Sequence, residues 1–194
     1  MACKGWAVPI TAWRLLVATC AASGVVLAAR QYDVWWTALS QLACCAVAIC
    51  FAGLAAYSHL TGRREPRSPW LQGALATTMT LVCLAYLPMQ NGNVTQGWSV
   101  LEHVVTPALV VADFVFVTRN QAEVRWWHPL TWMLPPLAYL GWYVGSDLAV
   151  YAALDPGRPV AFTTQLVMLA LLVLAAGFVF YGAGRRRRDL VLAR

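Results

Sequence analysis

Charge is what this 194-residue chain has least of. Asp, Glu, Lys and Arg together make up 11% of it, against the roughly 25% usual in soluble domains. Beside 60% hydrophobic residues and a mean hydropathy of +0.60, that scarcity excludes a soluble globular fold, because a core in water cannot absorb so much apolar surface. Disorder, which needs low hydrophobicity and high net charge, is excluded by the same figures. Metal-ligand spacing is missing as well: Cys3, Cys20, Cys44, Cys45, Cys50 and Cys83 form no CxxC or Cys/His pattern. Five of them lie in apolar runs, where a free thiol behaves as a small hydrophobe rather than half of a disulfide. Only its place near a membrane makes Cys3 a candidate for a lipid. The chain also lacks a basic face with aromatic readers, so nucleic acid is not a partner.

What is present is apolar sequence in lengths that match a bilayer. Runs recur near 8–29, 34–58, 70–90, 98–118, 129–147 and 161–183, each about 19–25 residues and long enough to cross roughly 30 Å of hydrocarbon as a helix. Backbone groups in lipid must be satisfied internally, and barrel strands would alternate and be half as long. The expected architecture is therefore all-α: a polytopic bundle of six transmembrane helices over residues 1–184, with a basic tail at 185–194. The first run, with Lys4 before it, imitates a signal peptide, but five later spans favour an uncleaved helix.

Basic residues orient the bundle. Lys4, Arg63, Arg64, Arg67, Arg119, Arg125 and the five tail arginines fall on one side; Arg30 and Arg158 fall on the other. Eleven against two places both termini in the cytoplasm, with the run Arg185–Arg188 as a topology signal that also meets anionic headgroups. Trp6, Trp35, Trp36, Trp70, Trp98, Trp126 and Trp127 lie at span ends, where amphipathic rings favour the headgroup layer. Asn93-Val94-Thr95 matches a glycosylation sequon but lies against the bilayer, so it reads as chance.

Polar groups at depth cost about 2.5–3.5 kcal/mol each on insertion scales, so each needs a reason. In the second span Thr37, Ser40, Gln41 and Cys44 share a helical face, and Asp33 stands where an N-cap would. The fourth carries Glu102, Thr106 and Asp113 on one stripe, with His103 beside Glu102 and Pro107 freeing the His103 carbonyl. Helix–helix hydrogen bonding explains the polar face of the second span, and a satisfied core histidine explains His103. Depth offers another reading: Thr37 and His103 both lie about a turn below the outer interface, the minimum geometry for a hydroxyl activated by a base. Asp113 is about 15 Å deeper than His103 and level with Arg14, which suggests a structural ion pair, Arg14 alternatively snorkelling to the headgroups. His59 and His128 lie at the opposite face from His103, so no two histidines suit axial haem ligation. No cofactor or metal is called for.

These residues, in this order, resemble a bacterial branch of the androgen-induced family of integral membrane threonine hydrolases. The matching segments are Arg14-Leu15-Leu16, Trp36-Thr37-Ala38-Leu39-Ser40-Gln41, Leu101-Glu102-His103-Val104-Val105-Thr106-Pro107 and Ala112-Asp113-Phe114, followed by Pro136-Leu137-Ala138-Tyr139-Leu140 and Tyr151-Ala152-Ala153-Leu154-Asp155. Gln41 replaces the Asn usual in that branch, and Ser146 a basic residue. Vertebrate members hydrolyse fatty acid esters of hydroxy fatty acids. The resemblance implies Thr37 as nucleophile and His103 as base, membrane lipids and a fatty acid ester as partners, and a bacterial cytoplasmic membrane as location. Ser40, Gln41, Glu102 and Thr106 become the candidates for contacting substrate or oxyanion, while Arg14 and Asp113 stay structural. The competing reading is a non-catalytic membrane protein: a small transporter, a lipid-binding protein or an assembly partner.

Overall fold

The computed structural model describes residues 7–89, 92 and 94–192. Cys3, Lys4, Trp6, the end of the third run at Gln90 and the sequon residue Asn93 lie outside the described residues. Every regular element among those described is helical. Seven α-helical elements carry the fold: α1 (Ala7–Gln31), α2 (Leu39–Thr61), α3 (Trp70–Met89), α4 (Gly97–Val117), α5 (His128–Thr131), α6 (Leu134–Gly145) and α7 (Pro159–Leu192). Of these α1, α2, α4 and α7 are long and apolar enough to cross a membrane, and α3 is a shorter apolar helix. In α7 only 17% of the most apolar window is buried, with Val160, Leu171 and Val179 among its exposed side chains; such a surface suits lipid or a protein partner better than water.

Local chemistry sets most boundaries. Pro9 sits in the first turn of α1, where its missing N–H is not needed. Gly62, at φ 63°, ends α2 in the left-handed conformation that glycine adopts without strain. The Ser68 hydroxyl accepts the Trp70 N–H at 3.3 Å at the start of α3. The fifth expected span is not one helix. Pro135 and Pro136 cannot donate to the carbonyls of Thr131 and Trp132, so α5 stops after one turn and α6 restarts with the prolines in its first turn. The sixth runs further than expected, continuing as helix through Arg185–Arg188 to Leu192.

The core is a column of Val17, Ala21 and Val25 from α1, Cys44, Val47 and Phe51 from α2, Ala76 and Met79 from α3, Val110 and Phe114 from α4, and Phe180 from α7. Trp132, at the break between α5 and α6, is fully buried and meets Phe114 edge-on. Gly73 of α3 makes room for it, since a Cβ there would overlap the indole. Gly24 eases a similar approach on α1, where a Cβ would lie only 3.0 Å from Glu102 Cγ of α4.

At the arginine-rich end, a polar network locks the helices together. Arg14 is fully buried, but the carboxylate that pairs with it is Glu65, 3.6 Å away in the α2–α3 loop, not Asp113. Its guanidinium also donates to the carbonyls of Leu54 at 3.1 Å and Arg64 at 2.8 Å, so it does not snorkel. Glu65 accepts the N–H groups of Arg119 and Asn120, each at 2.8 Å. Asp113 accepts from Trp13 at 2.9 Å, Thr118 at 3.0 Å and Gln72 at 3.3 Å. The same depth had made it the expected partner; a loop folding back over the helix ends supplied another. From α7, Arg187 donates to the Thr118 carbonyl at 2.7 Å and Arg188 to that of Ala122 at 2.7 Å. Glu65→Ala should leave Arg14 buried without its carboxylate, at a cost of roughly 3–5 kcal/mol, whereas Asp113→Asn keeps an oxygen for Trp13 and leaves no buried cation unpaired, and should cost less. Thermal unfolding of both variants in detergent checks this; equal losses would contradict it.

Candidate functional site

The site lies at the opposite end from the arginines, where α2 begins and α4 is irregular. Thr37 is not on α2. It ends a short 3-10 turn, Trp35–Thr37, and the α-helix starts at Leu39 with Ala38 as its cap. Asp33 is exposed and caps nothing. Two distant tyrosines set this boundary instead: Tyr139 of α6 donates to the Thr37 carbonyl at 2.8 Å, and the Tyr151 hydroxyl accepts the Leu39 N–H at 2.9 Å. The expected four-residue polar face is thus split, with Ser40, Gln41 and Cys44 buried on α2 and Thr37 held in front of them.

On α4, residues Leu101–Val105 form a π-helical turn closed by the Thr106 N–H on the Leu101 carbonyl. This is the form taken by the loosening expected from Pro107, which follows immediately. Such a turn widens the helix and turns its side chains relative to a regular α-helix. His103 stacks on Tyr86 of α3, ring centroids 3.5 Å apart, with Trp98 edge-on. Its Nδ1 lies 3.1 Å from the Ser99 carbonyl. A carbonyl only accepts, so Nδ1 carries the proton and Nε2 keeps a free lone pair. The imidazole is therefore fixed in the tautomer a general base needs.

Thr37 and His103 line one cavity of about 260 Å³, with Tyr32, Ser40, Gln41, Trp98 and Tyr151 also on its wall. A smaller void of about 70 Å³ shares Ser40, Tyr86, His103 and Tyr151 with it, and continues past Leu39, Leu81, Leu154 and Leu169. Those four leucines also border a third space of about 390 Å³ between α3, α6 and α7, whose wall is almost wholly apolar. Leu137 and Val167 on its rim are 48% and 53% exposed. The three spaces thus share walls in turn, from the chamber around Thr37 and His103 to an apolar groove at the helix surface.

Of the other residues singled out, Ser40 and Gln41 are in the chamber, while Glu102 and Thr106 are not. Glu102 is fully buried behind them. The Ser40 hydroxyl faces its carboxyl without completing a hydrogen bond. The Thr37 hydroxyl itself donates to the Val34 carbonyl at 3.2 Å, a single bond that an incoming acceptor or base can replace. Arg14 and Asp113 are at the other end. Tyr86, Tyr139 and Tyr151 were missed as site residues, although the last two lie in segments quoted for the family resemblance. Among the described residues no three His, Cys, Asp or Glu side chains come together as a metal would require.

No family model, curated protein or solved structure matches the chain. The geometry alone yields one expectation. Tyr139→Phe and Tyr151→Phe each remove a bond that pins residues 37–39, so each should destabilise by about 0.5–1.5 kcal/mol and speed amide exchange at Thr37 and Leu39. Hydrogen-exchange mass spectrometry reads this directly, and unchanged exchange in both variants would refute it.

Proposed function

We propose that the chain is an intramembrane hydrolase of lipid esters, with Thr37 as nucleophile and His103 as general base. The observation that carries this reading is the sequence of spaces: a chamber lined by a hydroxyl and a correctly tautomeric imidazole, sharing walls in turn with a small void and an apolar groove. An ester of a long acyl chain has the same two parts. In the proposed reaction His103 Nε2 takes the Thr37 proton as Oγ1 attacks the ester carbonyl. The bond to the alcohol oxygen then breaks, and the imidazolium returns its proton to that oxygen. Water, deprotonated by the same nitrogen, releases the acyl group from Thr37. Ser40 and Gln41, on the chamber wall, are the side chains available to donate to the oxyanion. The resemblance to androgen-induced threonine hydrolases points to the same pair.

The membrane arrangement in this reading has six crossings, counting α3 and the broken α5–α6 segment with the four long helices. Both termini then lie with the arginines on the cytoplasmic side of a bacterial cytoplasmic membrane, and the chamber faces the outer leaflet.

A fluorophosphonate probe tests the nucleophile without knowledge of the substrate. The expected result is labelling on Thr37 that vanishes in Thr37→Ala and slows at least about 100-fold in His103→Ala, with both variants still folded. Absence of labelling on the folded wild type would overturn the enzyme in favour of a binding or assembly role. The groove has its own test. Ala170→Trp, on its wall, should abolish turnover of long-chain esters while sparing short ones; loss of both to the same extent would remove the groove from the reading.

A further inference from the structure

The arginine-rich end carries a second concavity, about 670 Å³ in volume, that the proposed hydrolysis does not use. It lies between the α2–α3 loop and the segment joining α4 to α5, at the level where α3 begins and α4 ends. In a spanning bundle that is headgroup depth.

Several guanidiniums at this end are taken up by the fold: Arg64 donates to the Val117 carbonyl at 2.7 Å, and Arg187 and Arg188 bind the backbone of 115–124. Arg67 and Arg125 are not. They come from the two opposing loops, both line the concavity, and among the described residues neither guanidinium has a hydrogen-bond acceptor or a carboxylate partner. His128, buried, lines the same space, with Nδ1 accepting the Arg125 backbone N–H at 3.2 Å; Nε2 therefore carries the proton and is a donor. Asn120, 8% exposed, also lines the space. Its amide nitrogen donates to Pro66, Ser68 and Gln72, at 2.8, 3.3 and 3.1 Å, which holds the two loops that form the wall together. Trp127 stands at the rim, 37% exposed, with its ring against His128.

Two free guanidiniums and an N–H on one wall select a phosphate. A bare phosphate meets the exposed Glu123 carboxylate on the same wall. Hydroxyl groups on the ligand answer that carboxylate. We propose that this concavity binds a phosphoglycerol group, as carried by an anionic phospholipid of the adjoining leaflet: the phosphodiester lies between Arg67 and Arg125, and the glycerol hydroxyls donate to Glu123. Trp127 packs where headgroup meets acyl chain, a position indoles favour. The site is independent of the hydrolase reading.

The test uses the full-length protein, delipidated in neutral detergent and titrated with phosphatidylglycerol or phosphatidylcholine of matched chains, with binding read by native mass spectrometry. Wild type should bind phosphatidylglycerol at least about tenfold more tightly. The double variant Arg67→Gln/Arg125→Gln changes two exposed side chains and should lose that preference at an unchanged melting temperature. Arg185→Gln/Arg186→Gln, exposed at the same end, should keep it. Equal affinity for the two lipids in wild type overturns the proposal, and so does an equal loss in both double variants, which would mark diffuse surface charge. Soluble glycerol 3-phosphate separates the two sources of the ligand. Failure to displace the lipid assigns the site to the membrane-borne headgroup, whereas binding of the soluble ester without lipid preference overturns the lipid assignment.

Discussion

A guanidinium held at zero exposure inside an apolar bundle constrains everything around it. Arg14 stays charged at any accessible pH, so the fold has to bring it acceptors. It does so by ending α2 at Gly62 and turning the following loop back over the helix ends, which delivers the Arg64 carbonyl and the Glu65 carboxylate. Glu65 in turn accepts two N–H groups beyond the end of α4, and Asn120 ties that segment to the start of α3. One buried cation thus fixes the relative heights of α1, α2, α3 and α4.

With that end fixed, α4 can be irregular at the other. Its two π-helical turns, at Leu101–Val105 and Asp113–Val117, sit one at each functional extreme. The second places Asp113 and Thr118 so that the Thr118 N–H closes on the Asp113 carbonyl at 2.8 Å. The first presents His103 to the chamber while its neighbour Glu102 is turned into the α1–α2 packing. A regular helix would set those two side chains about 100° apart as well, but the widened turn, with Pro107 behind it, lets the Ser99 carbonyl serve the imidazole.

Helical class and the apolar runs could be read from composition and periodicity, and the shared level of Thr37 and His103 from counting along those runs, because each depends on local sequence and on the bilayer's thickness. The start of α2 could not. It is set by hydroxyls more than 100 residues away, and no pattern around Trp36 announces them. Arg14 was matched to Asp113 by counting rise along helices, a method blind to loops, and Glu65 lies in a loop. The break between α5 and α6 was written in Pro135–Pro136, a signal that the length of the apolar run concealed. Arg187 and Arg188 looked like free charge because a basic run gives no hint of carbonyls waiting on another segment.

The clasp between α7 and the 115–124 backbone is built from groups that do not titrate, a guanidinium on one side and carbonyls on the other. The far end depends on two tyrosine hydroxyls and a single threonine bond. The bundle is therefore stiff at one mouth and yielding at the other. Breathing motions would spread the helices like fingers from a closed palm, widening first around Thr37 while the α7 clasp keeps its register across the whole range of cellular acidity.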